Sequence, residues 1–82
     1  MTRLNVFTNT LSGVTAHDVE RIVQSVLRDY GLRMRLHDVG RLTDSWGVVL
    51  RRRDGSALHI AVAANSPHGV RRAVMSALKV DG

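Results

Sequence analysis

Cysteine is absent from this 82-residue chain. No disulfide framework and no thiolate metal site can therefore form. Aromatic residues are almost as scarce, with one Phe, one Tyr and one Trp. Any core must be built from Val, Leu, Ile and Ala, and base stacking on a row of exposed rings has almost nothing to work with. Lysine occurs once, at Lys79, so arginine supplies eleven of the twelve Lys and Arg residues. No apolar run approaches the ~20 residues of a membrane-spanning helix, and the N-terminus lacks the apolar stretch of a signal peptide. The expectation is a single small domain over residues 1–82, in the cytoplasm, with no cofactor and no membrane partner.

What is present is charge and pattern. Twelve basic residues against seven acidic ones give a formal charge of +5. Such an excess favours anionic partners through a general field. GC-rich coding also enriches arginine, and a charge of this size serves solubility alone.

The patterning has a clear order. Leu4 to Thr8 alternates as a short strand, and Ser12-Gly13 breaks it. Thr15 can cap a helix, and Asp18, three residues on, can reach back to complete a capping box. Val19, Ile22, Val23, Val26, Leu27 and Tyr30 then recur at three- and four-residue spacing as one apolar stripe, and Gly31 ends the helix. Leu32 to about Asp38 reads as a strand, and Val39 to Ser45 as a loop. Trp46 to Arg52 and Ala57 to Ala63 read as two further strands. Ser66 and Pro67 open a last helix with a stripe of Val70, Ala73, Val74, Ala77 and Leu78. Lys79 stands near its end, where the helix dipole favours a cation.

Parity sets the hairpin register. A two-residue Asp-Gly turn would pair Leu50 with His59 and mix the faces. A three-residue loop, Arg53-Asp54-Gly55, pairs Leu50 with Leu58, Val48 with Ile60 and Trp46 with Val62. Only the second keeps the apolar residues together, and it puts Gly55 where a left-handed residue is needed. The predicted fold is α+β, in the order β-α-β-β-β-α: a two-layer sandwich with a mainly antiparallel sheet and both helices on one face.

The other sheet face should then carry Arg33, Arg35, His37, Val49, Arg51 and His59, with Arg53 in the adjoining turn. Guanidinium groups stay charged and bind phosphate oxygens bidentately, so Arg33, Arg35, Arg51 and Arg53 are the first candidates for contact with a polyanion. His68, Arg71 and Arg72 at the last helix's start form a second candidate set, where free backbone N–H groups already favour anions. Trp46 shares parity with Val48 and Leu50 and belongs to the core or its rim. No metal-ligand or nucleophile motif is present, so no catalytic residue is assigned.

From Thr15 to residue 80, the α-β-β-β-α order with a basic entry to the final helix resembles the double-stranded-RNA-binding domain and the HicA-type toxins that share its architecture. His68-Gly69-Val70-Arg71-Arg72 stands where the RNA-binding family has a lysine-rich entry. Asp44-Ser45-Trp46-Gly47 stands near the place where the toxins carry Gly-Ser-His around a catalytic histidine. The added first strand departs from both.

The leading expectation is a small, non-enzymatic module that binds RNA or DNA through backbone phosphates. The alternative is a protein-interaction or inhibitor module of phage or mobile-element type, docking on an acidic host protein surface. An RNase-like toxin using His37 or His59, with Asp38 nearby, comes third. A homodimer is a further partner, since so small a core gains from association.

Overall fold

The computed structural model describes residues 14–80. The expected strand Leu4 to Thr8 lies outside them. Helix α1 (Ala16–Asp29) is followed by strands β1 (Met34–Arg41), β2 (Trp46–Arg52) and β3 (Ala57–Val62), and then by helix α2 (Pro67–Leu78). The strands form one antiparallel sheet in the order β1-β2-β3. α1 packs on β1, α2 packs on β3, and the helices touch each other. The fold is thus a two-layer α+β sandwich, as the apolar stripes predict.

Local chemistry accounts for each boundary. The Thr15 hydroxyl accepts from the Asp18 N–H at 3.1 Å, and the Asp18 carboxylate accepts from the Thr15 N–H at 3.1 Å, closing the capping box. At the other end Gly31 takes the left-handed conformation (φ 62°), which lets Leu32 N–H reach the Leu27 carbonyl at 2.9 Å. The Ser66 hydroxyl caps α2 by accepting from Gly69 N–H at 3.0 Å. A Cβ on Gly69 would sit 3.0 Å from that hydroxyl and 3.2 Å from Ala64 Cβ, so the cap itself disfavours a larger residue. α2 ends at Lys79, a non-glycine residue in left-handed conformation (φ 59°).

The core lies between the helices and the sheet. Val19, Val23, Val26 and Leu27 of α1, and Val70 and Val74 of α2, bury against Trp46, Val48, Leu50, Ile60 and Val62. The hairpin pairs Leu50 with Leu58, Val48 with Ile60 and Trp46 with Val62, with Gly55 at φ 91°, which is the predicted three-residue register. Ala77, expected in the α2 stripe, is exposed instead, and Ile22 is only half-buried.

β1 differs from its reading. It runs on through Val39, Gly40 and Arg41, where a loop is expected. The cause is a β-bulge: Leu36 pairs with Leu50 and Asp38 with Val49, which leaves His37 as the extra residue. Strict alternation would turn Asp38 toward the helices and Val39 toward solvent. The bulge absorbs one residue and resets the phase, so that Asp38 falls on the outer face and Val39 pairs with core residue Val48.

Candidate nucleic-acid interface

The end of the sheet where β1 begins and β2 ends gathers the arginines. Arg33, Arg35, Arg51, Arg52 and Arg53, with Met34, line a shallow depression of about 440 Å³. Four of these five arginines are candidates from the sequence. Arg52 is not, because its parity matches Leu50 and so assigns it to the core side. It pairs with half-buried Met34 in the last row of the β1–β2 pairing and is exposed. The run Arg51-Arg52-Arg53 is the signal that could have found it.

Arg35 and Arg51 are direct cross-strand neighbours. Like charges in that relation repel, at a cost of a few tenths to about 1 kcal/mol. The hairpin turn holds two of the guanidiniums: Arg51 Nη1 donates to the Gly55 carbonyl at 3.1 Å, and Arg52 Nη1 donates to Ser56 Oγ at 3.1 Å. The acid of the same turn, Asp54, is engaged elsewhere. Its Oδ1 accepts from Ser56 Oγ at 2.7 Å and from Ser56 N–H at 2.8 Å. Those two bonds, with a smaller contribution from the Arg52 charge, hold the Asp54 carboxyl below its ordinary value of 3.8. Among the described residues, none of the five arginines forms an ion pair.

The second candidate set divides. Arg71 is spent on structure: Nη1 donates to Ser25 Oγ and Nη2 to Asp29 Oδ2, both at 3.0 Å, so this side chain ties α2 to α1. His68 and Arg72 are exposed. The two sets also do not meet. Pairing of Arg51 with Ala57 marks one end of the sheet and pairing of Trp46 with Val62 the other; α2 starts just beyond Val62, in the other layer.

Trp46 is buried at the rim, as its parity predicts. Arg41 lies over its ring at 5.2 Å, a cation–π contact hidden from a reading that makes Arg41 a loop residue. Asp38 and His59 face the same side with Val49 between them. Two strand spacings place their backbones roughly 10 Å apart. Among the described residues no hydrogen bond joins them, and no group of three or more His, Asp or Glu side chains is placed to hold a metal ion. No helix of the described residues is long and apolar enough to cross a membrane. No protein-family model, curated protein or solved structure matches this chain.

Proposed function

We propose that this is a small non-enzymatic module of the cytoplasm that binds RNA or DNA through backbone phosphates, with Arg33, Arg35, Arg51, Arg52 and Arg53 as its contact surface. The observation that carries the reading is five arginines lining one depression, none in an ion pair with a carboxylate among the described residues. Two of them are already held by the turn, which lowers the ordering cost of binding. Phosphate is favoured because guanidinium groups stay charged and bind phosphate oxygens bidentately. Bases are left unread: of the aromatics in the described residues, Trp46 is buried and Tyr30 belongs to the helix layer. Arg72 and His68 stand apart from this surface, and Arg71 is committed to Asp29.

The test is binding of short duplex and single-stranded RNA and DNA, followed by fluorescence anisotropy over a range of salt. Released counterions should give a log–log slope of up to about 0.9 per duplex phosphate engaged. Absence of binding at low salt would sink the proposal.

One observation favours a second reading, a protein-interaction or inhibitor module. Leu42 is 50% exposed and lies over Gly47 on the outer sheet face, away from the arginines. An apolar side chain placed there suits a protein surface, and affinity for an acidic protein would then persist at high salt.

A further inference from the structure

Among the described residues, the two edge strands of the sheet are built differently. β1 carries the devices by which sheets avoid unwanted pairing: a bulge at His37, and Arg35, Asp38 and Arg41 along its length. β3 carries none of them. Ala57-Leu58-His59-Ile60-Ala61-Val62 contains no Lys, Arg, Asp, Glu or Pro, and its pairing with β2 runs without a register shift. Among the described residues β3 has a neighbour on one side only. Its other side offers backbone N–H and C=O groups along an uncharged strand of regular pleat, which is a template for another strand.

We propose that this edge pairs antiparallel with β3 of a second copy of the chain, joining two three-stranded sheets into one of six strands. Charge selects the edge. The molecule carries +5, so self-association costs least where no charged side chain meets its copy. Pairing through β1 would bring Arg35 and Arg41 against their counterparts; pairing through β3 brings together only Ala, Leu, Ile, Val and His.

Parity restricts the pairing to registers that keep Leu58, Ile60 and Val62 on the helix side, and centring on Ala61 would leave Leu58 with no opposite residue in the partner's β3. With Ile60 opposite the partner's Ile60, Leu58 faces the partner's Val62 on the helix side, and His59 faces the partner's Ala61 on the outer side. The apolar cores become continuous, and Leu58, half-buried in one copy, gains cover. A one-residue slip would swap faces. A two-residue slip to His59 opposite the partner's His59 would set two imidazoles against each other. The arginine-lined depressions lie at the β2–β3 hairpin ends, so antiparallel pairing carries them to opposite ends of the long sheet.

Two six-residue strands bury less than the ~1,200 Å² of a stable complex, so the dimer is concentration-dependent. Sedimentation equilibrium over about 10 µM to 1 mM should show a reversible monomer–dimer equilibrium. His59→Lys/Ala61→Lys should raise the dimer dissociation constant at least about tenfold with an unchanged circular dichroism spectrum. Because the chain has no cysteine, a covalent test is also clean. Directly opposite residues lie about 4.5–5.5 Å apart at Cα, within disulfide reach, whereas diagonal ones at about 7–8 Å are not. An oxidised mixture of His59→Cys and Ala61→Cys proteins should therefore cross-link, while each alone should not. A wild type that stays monomeric throughout overturns the proposal, including the case in which β3 amides are nonetheless protected from exchange because the chain covers its own edge. Dimerisation undiminished in the lysine variant, or equal cross-linking of single and mixed cysteine proteins, overturns it as well.

Discussion

Two basic clusters of similar sequence density have opposite fates in this fold. At the sheet end, Arg33, Arg35, Arg51, Arg52 and Arg53 converge on one depression, and none is ion-paired among the described residues. At the start of α2, Arg71 is bound to Asp29 and Ser25, leaving Arg72 and His68 exposed beside it. The difference is topological. β1 begins where β2 ends, so arginines distant in sequence are brought side by side, and the acid of the adjoining turn is occupied by Ser56. The α2 arginine instead meets a neighbouring helix that ends in an aspartate. A basic run therefore predicts a binding surface only after its carboxylates are counted in three dimensions.

The contrast vanishes when the floor under both clusters is removed. Leu50 is fully buried beneath the sheet-end row, and Leu50→Ala should cost about 2–5 kcal/mol, read as a lower midpoint in urea denaturation. So small a domain has a total stability of the order of 5 kcal/mol, and both clusters would go together.

The next test separates the clusters. Arg35→Gln/Arg51→Gln/Arg53→Gln should leave the urea midpoint nearly unchanged, since removal of an opposed like-charge pair offsets loss of the exposed Arg51–Gly55 hydrogen bond. It should weaken nucleic-acid binding and flatten the salt slope by up to roughly 0.9 units for each phosphate no longer engaged. Arg72→Gln in the same assay should change neither quantity appreciably; an equal fall in affinity there would show that the surface near α2 does the binding.

Arg71→Ala should behave in the reverse manner. Its pair with Asp29 is partly exposed, with side chains 36% and 49% accessible, so the stability loss should be about 0.5–1 kcal/mol and the affinity change small. A large drop in affinity with unchanged stability would contradict the assignment of Arg71 to the inter-helix contact.

The smallest effect belongs to Asp54→Asn. Because the folded-state carboxyl titrates below its ordinary value of 3.8, its contribution to stability is present above that value and is lost as pH falls through the lower folded one. The variant should be slightly less stable than wild type at pH 7, and the gap should close in strongly acid solution, as followed by urea midpoints against pH. A gap that widens with acid would mean that Asp54 is not held in its charged form by the turn.

The parts of the fold legible in the sequence are those written in local periodicity. Thr15 and Asp18 announce a helix start because both partners of the capping box lie within one turn. The hairpin register is legible because only one loop length keeps Leu50, Leu58, Val48 and Ile60 together. The second half of β1 is not legible, because a bulge is a relation between two strands and leaves no mark on either alone. Gly40 and Arg41 read as loop residues because alternation reaches only to about Asp38 and Gly40, Asp44 and Ser45 follow. For the candidate site, Arg33, Arg35, Arg51 and Arg53 are found together as expected, while Arg52 and Arg71 each depart from expectation for a tertiary reason. Arg52 is exposed at the end of β2 with its guanidinium held by Ser56 of the turn, and the partner of Arg71 lies in α1, far away in the chain. The separation of the two clusters likewise depends on the direction of α2, which composition does not record.

The bulge at His37 has a consequence for how this chain tolerates change. Without that residue, Leu36 would still meet Leu50, Asp38 would meet Val49 and Val39 would meet Val48, now in an unbroken ladder. A reading-frame-preserving loss of three bases is usually a harsh genetic event inside a strand, because it exchanges the faces of everything that follows. Deletion of Gly47 from the central strand would do that, throwing Val48 and Leu50 out of phase with Trp46. At codon 37 the same event should leave the core pairs where they are, and remove only a device that keeps the β1 edge from recruiting strangers. Length variation in this chain should therefore be tolerated at that codon and purged from the strand beside it.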